Sequence, residues 1–421
     1  MKLKRLLSMA LALLLSTGAA AAEGFAPVLD PDTACEITVV GTYSNFEALE
    51  AEFVAFNDYY PDVELTYLKL DDYDGTISTA VSGESAPDIY FMYPWMAGRS
   101  EFDAAFAHAE DLSAPELGLD LDCLREGLLF RDESGALPMA PVFSTTYGML
   151  VNEDLFEAAD VAVPETYADL LDACAKLREA GYANPILGYN DSGSLLNVFS
   201  TPEFYASIDG DSEAVAALNS LEPAGGEYLR PTLEATARFI ADGCVDLSAC
   251  EAELPDSYNG VILRFFEGDV PMMFCSGDTV SGTQKREAQS EAFTAHPFRY
   301  SFHPVPTTGG IYYADMPSVQ FAVNRESADL AVVNEFTRFL ITTEQLGEMA
   351  RIKRLITPCK DMTLDSIYAS FGEVDASRRI FTQALGVLDD VTIQKRRAVF
   401  AVGNGTMTID EAVAAYGSIS E

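Results

Sequence analysis

The chain has 421 residues, of which 66 are acidic and 26 basic, and its formal net charge is −40 at pH 7. So acidic a chain is disfavoured as a partner of nucleic acid or of anionic membrane surfaces. Hydrophobic residues make up 48% of it, and its length exceeds what one hydrophobic core usually serves, so we expect two separately packed lobes.

Residues 1–22 have the pattern of an export signal. A basic start is followed by an apolar run from Leu6 to Leu15 and by small residues through Ala22. The run is too short to span a bilayer, and we expect no later membrane insertion. A lipid anchor would require a cysteine directly after the run, whereas the first cysteine is Cys35. We therefore expect an exported, unanchored protein that acts in the periplasm or at the cell surface.

The first hundred mature residues alternate between strand and helix patterns. Residues 36–41 are rich in β-branched side chains and predict a strand, and the next stretch places Phe46, Leu49 and Phe53 on one helical face. Two further strands are predicted at residues 63–67 and 89–92, with a short helix between them. This alternation predicts an α/β lobe with a parallel sheet and right-handed crossovers.

Polar and aromatic side chains follow the predicted strands of this lobe. In open parallel sheets, ligands bind beyond the carboxyl ends of the strands. The candidate ligand-binding residues of the first lobe are therefore Tyr43, Ser44, Asn45, Asp72, Tyr93 and Trp95.

A second α/β lobe is predicted to begin near Pro141. A strand over residues 146–151 is followed by a helix that begins after Thr166 as N-cap, with Asp169 three residues later. Gly181 ends that helix. A further capping box, formed by Thr408 and Glu411, predicts the last helix of the chain.

The usual motifs of catalysis and cofactor binding are missing from the sequence. None of the three histidines has the spacing of a zinc-binding His-Glu-x-x-His motif, and the Asp-rich stretch 71–75 lacks a carboxylate at the twelfth position of a calcium loop. There is no Gly-x-Ser-x-Gly elbow and no Walker loop. We therefore expect no cofactor, no metal and no catalysis. A secreted glycosidase stays as an alternative, because 66 acidic residues supply carboxylate pairs by chance.

The chain has seven cysteines, an odd number, so at least one has no partner within the chain. Cys244 and Cys250 are close enough in sequence to close a short disulfide loop. Cys174 lies on the apolar stripe of the predicted second-lobe helix, which favours a buried thiol there.

Five segments follow one another in an order typical of one protein family. They are the Ala-Pro-Asp strand entry at 86–95, the strand and Val-Pro-x-Thr helix start within 147–186, the Phe-Phe-Glu-Gly segment 265–278, and the segments 321–327 and 403–413. Together they resemble the extracellular solute-binding proteins of ABC importers, in the maltose-binding-protein-like branch that takes up sugars and oligosaccharides.

The resemblance implies a two-lobed periplasmic-binding-protein fold whose lobes close around a ligand by hinge bending. Lobe 1 would comprise residues 36–143 plus 277–319, and lobe 2 would comprise residues 144–276 plus 320–421. The chain would cross the hinge three times, near 143–147, 274–276 and 318–322.

Sugar sites combine aromatic platforms with amide and carboxylate groups. In the second lobe the residues of these types at the expected cleft are Tyr147, Tyr189, Asn190 and Asp191. The turn residues Gly277 and Asp278 are further candidates. The family often has glycine followed by tryptophan at this turn. Asp278 departs from that pattern and offers a hydrogen bond to a hydroxyl, or a charge to a cationic group.

These observations predict a monomeric receptor without catalysis that captures a carbohydrate and delivers it to the permease subunits of an ABC transporter. The same fold binding a polyamine or a short peptide is the first alternative, favoured by the acidity and by Asp278. The glycosidase is a second alternative, and a surface adhesin is a third.

Overall fold

The structure is a computed structural model that describes residues 25–188, 192–253 and 257–420. The predicted export signal lies outside these residues. Within them, no helix combines the length and apolar character needed to cross a membrane.

The strands are β1 (Cys35–Gly41), β2 (Val63–Lys69), β3 (Ile89–Met92), β4 (Ala140–Pro141), β5 (Ser144–Thr145), β6 (Tyr147–Asn152), β7 (Ile186–Gly188), β8 (Met272–Ser276), β9 (Tyr300–His303), β10 (Tyr313–Pro317), β11 (Gln320–Val323) and β12 (Arg379–Phe381). The α-helices are α1 (Glu47–Asn57), α2 (Tyr73–Ala80), α3 (Asp103–His108), α4 (Glu153–Ala158), α5 (Tyr167–Glu179), α6 (Ser192–Ile208), α7 (Ser212–Asn219), α8 (Arg230–Ala241), α9 (Leu247–Glu253), α10 (Tyr258–Phe265), α11 (Gly277–Ser281), α12 (Thr283–Gln289), α13 (Glu291–Ala295), α14 (Leu330–Leu340), α15 (Thr343–Lys353), α16 (Ala369–Gly372), α17 (Asp389–Gly403) and α18 (Ile409–Ala414).

The strands form one main sheet in each lobe. The first-lobe sheet has the order β2-β1-β3-β11-β4, in which β1 is parallel to both β2 and β3. The second-lobe sheet has the order β7-β8-β6-β9, and a small sheet, β12-β10-β5, lies beside them. The parallel arrangement predicted from the strand and helix alternation of the first lobe is confirmed.

Two strands belong to a different sheet from the one predicted. Residues 277–319 were assigned to lobe 1, yet β9 pairs with β6 in the second sheet. Residues 320–421 were assigned to lobe 2, yet β11 lies between β3 and β4 in the first sheet. A short apolar strand has the same pattern in either sheet, so its partner depends on the path of the chain, which local sequence does not encode.

Each sheet packs against its own helices in a separate core. Phe46, Phe91 and Phe336 belong to the first core, and Phe199 and Phe274 belong to the second. The predicted caps are confirmed: α5 begins with a capping box formed by Thr166 and Asp169, and α18 with one formed by Thr408 and Glu411. Two cores in one chain agree with the length argument made from the sequence.

Three chain crossings join the two cores. The backbone hydrogen bonds Ser318 N–Phe143 O (3.0 Å) and Ser144 N–Ile356 O (2.8 Å) tie the crossings side by side. The predicted crossing at residues 274–276 is wrong, because these residues lie in β8, with Val270 before and Val280 after it in the second core. The third crossing is formed instead by the segment 354–360.

A buried ion cluster lies where the crossings meet, and we call Arg125, Ser144, Asp315 and Arg379 the hinge ion cluster. The Asp315 carboxylate is fully buried and contacts Arg125 Nε at 3.0 Å and Arg379 Nη2 at 2.6 Å. Arg125 also donates to Ser144 Oγ (2.6 Å) and to the carbonyl oxygen of Thr357 (2.6 Å). Ser144 lies in the first crossing and Thr357 in the third, and β10, which carries Asp315, leads into the second crossing at residues 318–322. The Arg125 guanidinium therefore connects all three crossings.

Glu52 predicts a pH dependence of the first lobe's stability. Its side chain is buried between α1 and α15 and its Oε2 has no hydrogen-bond partner; burial, with the Glu348 and Glu344 carboxylates, raises its pKa from 4.5 to about 8. Because the unfolded chain loses this proton at lower pH, stability falls as the pH rises from about 4.5 to 8.

We therefore expect Glu52→Gln to gain stability over the wild type across that window, by on the order of 2 kcal/mol between pH 4.5 and 8.5. Urea unfolding at the two pH values measures the gain. Glu50→Gln, an exposed position on the same helix, serves as the control, and an equal change for both variants would contradict the prediction.

Candidate functional site

Two adjoining cavities lie between the lobes, close to the crossings. The inner cavity has a volume of about 320 Å³ and is lined by residues of both lobes, among them Tyr43, Tyr93, Tyr258 and Asp278. The outer cavity has a volume of about 740 Å³ and shares Tyr43, Tyr258 and Ser281 with the inner one. We call the two together the cleft.

Two tyrosines of the first lobe reach the cleft because they follow parallel neighbouring strands. Tyr43 comes after β1 and Tyr93 after β3, and the carboxyl ends of parallel strands lie at the same edge of a sheet. The ring of Tyr43 packs edge-on against Phe46 and Phe91, with centroids 5.0 and 5.6 Å away. These contacts with the core fix the ring at the cleft.

The second lobe contributes Asp278 from α11. Its Oδ1 accepts a hydrogen bond from Ser318 Oγ at 2.8 Å, and its backbone carbonyl accepts one from Tyr258 Oη at 3.0 Å. A Cβ atom at Gly277 would lie 2.7 Å from Thr145 Oγ1, so only glycine lets α11 approach the first crossing this closely.

The cleft contains charges of both signs. Glu47 and Asp278 are acidic, and Lys285, Arg286 and Lys353 are basic. The Lys353 ammonium lies 4.1 Å from the centre of the Tyr43 ring. The strong acidity of the whole chain is therefore not reproduced in the cleft.

Burial perturbs the ionisable groups of the cleft. It raises the pKa of Asp278, and the hydrogen bond from Ser318 and the charge of Lys353 oppose this rise. Burial lowers the pKa of Lys353, while the carboxylates of Glu47 and Asp278 oppose this change. Burial, with a contribution from Asp278, raises the pKa of Tyr43, so this phenol stays a neutral hydrogen-bonding group.

The raised pKa of Asp278 predicts that its charge destabilises the ligand-free protein. A carboxyl group with a raised folded pKa costs stability once the pH exceeds its unfolded value near 3.8. We expect Asp278→Asn to increase the free energy of unfolding at pH 7 by up to about 1 kcal/mol, and to give a smaller gain as the pH falls toward 3.8.

Urea unfolding at pH 4 and pH 7 measures this effect. The exposed Asp361→Asn variant is the control and should stay within about 0.5 kcal/mol of the wild type. A loss of stability in Asp278→Asn at pH 7 would show that the ionised carboxylate supports the fold.

The structure brings many of the predicted site residues together. Tyr43, Ser44, Asn45, Tyr93 and Asp278 line the cleft, and Gly277 is buried directly beside it. Tyr189, Asn190 and Asp191 lie outside the described residues.

Tyr147 is half-buried at the start of β6 and is not among the residues that line the two cavities. Its hydroxyl accepts a hydrogen bond from Asn197 Nδ2 at 3.4 Å, and burial, with Asp278 as the next cause, raises its pKa. It is therefore within electrostatic reach of Asp278 without lining either cavity.

Two predicted residues of the first lobe are not among those lining the cavities. The indole of Trp95 is stacked roughly parallel to the Tyr93 ring at 6.0 Å and packs edge-on against Phe102 at 5.3 Å. The Arg99 guanidinium, 5.2 Å from the Trp95 ring, forms an ion pair with Asp389 of the second lobe. Asp72 is exposed, with φ of 48°, at the start of α2. The ion pair that joins the lobes is therefore made by Arg99, which lies over the Trp95 ring.

Sequence reasoning missed several residues that line the cleft. Tyr258 and Asn259 begin α10, Ser281 ends α11, and Lys353 ends α15. They come from helix ends, whereas the prediction followed strand ends. Ser257, the N-cap of α10, marks the helix that carries two of them but not its position at the cleft.

Across the part of the chain that the structure describes, no group of three or more histidine, cysteine or acidic side chains has the arrangement of a metal site.

Comparisons with known proteins agree with this fold. Residues 41–229 match the family described as bacterial extracellular solute-binding protein. No curated protein matches the sequence. Among solved structures, ligand-free RafE from Streptococcus pneumoniae has a TM-score of 0.69 at 16% identity, over 93% of this chain and 99% of that one.

Two further structures are similar to the same extent. A chitin oligosaccharide binding protein has a TM-score of 0.67 at 17% identity, over 92% of this chain and 98% of that one. The GacH receptor of Streptomyces glaucescens has a TM-score of 0.64 at 17% identity, over 91% and 97%. The comparisons confirm the resemblance that the five segments indicated: this chain has the two-lobed fold of solute-binding proteins, and residues 41–229 match the family of bacterial extracellular solute-binding proteins.

Proposed function

We propose that this protein is an extracytoplasmic receptor that binds a carbohydrate in the cleft and delivers it to the permease of an ABC importer. The observation that carries the proposal is a cleft between two lobes lined by three tyrosines and by hydroxyl and amide groups. Solved proteins of this fold have been described with raffinose for RafE and with acarbose for GacH.

The lining matches the chemistry of a sugar. The rings of Tyr43, Tyr93 and Tyr258 offer apolar surfaces for the C–H face of a pyranose, while Asn45 and Asn259 offer amide donors and acceptors to its hydroxyls. The serine hydroxyls Ser44 and Ser281, together with Gln284 and Gln289, extend this polar rim in the outer cavity. The site therefore favours a neutral ligand with many hydroxyls.

The mixed charge of the cleft argues against a polyamine. A polycation would have to approach Lys285, Arg286 and Lys353 together with the two carboxylates, and like charges at short range are repulsive. The structures compared above are of binding proteins and a receptor, which supports binding without turnover.

A thermal-shift and calorimetry panel tests the proposal. The purified protein is mixed with monosaccharides, raffinose, and malto-, xylo- and chito-oligosaccharides, and with spermidine and a tripeptide. A ligand at 100 times its dissociation constant stabilises the protein by about 2.7 kcal/mol, so we expect a clear rise in Tm with one carbohydrate class.

The same samples, analysed by chromatography, should contain intact sugar and no product. A rise in Tm with spermidine or the tripeptide alone would contradict a carbohydrate ligand. It would indicate that the protein binds a cationic or peptide solute. Release of a sugar product would contradict the receptor function and indicate an enzyme.

A further inference from the structure

Cys123 and Cys359 are far apart in sequence but lie on paired backbone segments. Leu124 and Cys359 form an antiparallel β-bridge, and the Lys360 amide donates to the Cys123 carbonyl at 2.7 Å. Each of these thiols is the main influence on the other's pKa: Cys359 raises the pKa of Cys123, and Cys123 lowers the pKa of Cys359, so the two side chains are neighbours. In this register Cys123 is next to Leu124, the residue opposite Cys359, so the two cysteines are diagonal neighbours on adjacent segments. Adjacent antiparallel segments hold such Cα atoms close to the range that disulfides require.

Cys174 and Cys244 form a second pair of adjacent thiols. Cys174 lies on the buried face of α5 and Cys244 follows α8, and both side chains are buried in the second core. Each thiol is the main influence on the other's pKa, which Cys244 raises for Cys174 and Cys174 lowers for Cys244. Arg178 Nη2 donates to the Cys244 carbonyl at 3.0 Å, and Tyr167 Oη donates to Asp242 Oδ2 at 3.0 Å. These contacts hold α5 against the segment that carries Cys244.

We infer that this protein carries two disulfides, Cys123–Cys359 and Cys174–Cys244, formed once it reaches an oxidising compartment. The inference uses the expectation of export and is independent of the ligand. It replaces the Cys244–Cys250 bridge that sequence spacing suggested, because Cys244 faces Cys174, whereas Cys250 Sγ accepts a hydrogen bond from the Gly188 amide at 3.2 Å.

The oxidation of each pair requires a disulfide oxidant, such as a dithiol oxidoreductase in its oxidised form or oxidised glutathione. One thiolate attacks the S–S bond of the oxidant and releases one of its thiols, giving a mixed disulfide. The second cysteine then attacks its partner's sulfur, forms the protein disulfide and releases the other thiol of the oxidant. The protein loses two electrons and two protons per pair, and the oxidant gains them.

The Cys123–Cys359 bridge would act at the hinge. Cys359 ends the third crossing, and its carbonyl accepts a hydrogen bond from Arg125 of the hinge ion cluster at 2.7 Å. The bridge would fasten this crossing to the first lobe and close a long loop, which restricts the unfolded chain. The Cys174–Cys244 bridge lies within the second lobe.

Non-reducing peptide mapping tests the inference. The exported protein is collected, its thiols are blocked with an alkylating reagent under denaturing conditions, and the digest is analysed by mass spectrometry. We expect the linkages Cys123–Cys359 and Cys174–Cys244, and the same map for the control variant Cys35→Ser, since Cys35 is partly exposed and its pKa is raised by burial, Asp329 and Asp88 and by no other cysteine.

A stability measurement adds a second readout. Cys123→Ser/Cys359→Ser should melt roughly 5 to 10 °C below the oxidised wild type, and the gap should largely close in dithiothreitol. Full alkylation of the four cysteines after native incubation with oxidised glutathione, or a Cys244–Cys250 linkage in the map, would overturn the inference.

Discussion

Replacing Asp315 with alanine is expected to lower the free energy of unfolding by about 3–5 kcal/mol, because it leaves two guanidinium groups without their carboxylate. Asp315 is fully buried and contacts both Arg125 and Arg379, and Arg125 is itself only 5% exposed. An unpaired charge at this depth has no water to compensate it. Arg125 also binds the backbone of the third crossing. The loss of the Asp315 carboxylate should therefore destabilise the hinge, where the two lobes are joined.

Urea unfolding of Asp315→Ala, Arg379→Ala and Asp361→Ala measures the effect. Arg379 is more exposed than Arg125, so its loss should cost less than that of Asp315, and the exposed Asp361→Ala control should change stability by no more than about 0.5 kcal/mol. If the alanine variant does not fold, Asp315→Asn, which keeps the shape and one acceptor, gives a measurable intermediate loss. A cost below about 1 kcal/mol for Asp315→Ala would contradict the role of the cluster.

Replacing Tyr258 with alanine is expected to weaken carbohydrate binding by roughly 10- to 50-fold, the range of a well-placed aromatic contact. Tyr258 lines both cavities, and its hydroxyl donates to the backbone carbonyl of Asp278. It is 40% exposed in the ligand-free protein, so its removal should change the stability of the fold only slightly. The prediction depends on the proposed carbohydrate ligand.

Isothermal titration with the sugar identified in the panel measures the loss. Tyr59→Ala is a matched control, because Tyr59 is 37% exposed and contacts Phe25 and Phe339 on the first lobe, outside both cavities. If the two variants bind the sugar with equal affinity, Tyr258 does not contribute to sugar binding.

Local sequence was sufficient to predict helices and strands and to identify several of the residues that line the cleft. The N-cap pairs Thr166–Asp169 and Thr408–Glu411 marked helix starts, since a side chain that satisfies free backbone amides is encoded within four residues. Tyr43 and Tyr93 were predicted for a similar reason, because they directly follow apolar strands whose parallel order could be read from the alternation of elements.

The residues that were missed depend on contacts between distant segments. Tyr258 and Lys353 reach the cleft only because α10 and α15 end beside it, and no local pattern distinguishes these helix ends from others. Trp95, the single tryptophan of the chain, was expected to line the cleft, yet it stacks against Tyr93 and is not among the residues that line the two cavities. Its place is set by the position of Phe102 and by the ion pair of Arg99 with the second lobe.

The sequence by itself determined the α/β class, the division into two cores and the helix starts, because length, periodicity and capping can be read from the chain without its tertiary contacts. The order of the five segments indicated the family that the chain resembles. Tertiary structure alone decided which sheet receives β9 and β11, where the third crossing runs, and which cysteines face each other. These depend on the packing of residues that are far apart in the sequence, as in the contacts of Arg125 with Asp315 and Thr357. Burial by both lobes likewise sets the charge balance of the cleft, which the overall acidity of the chain did not reveal.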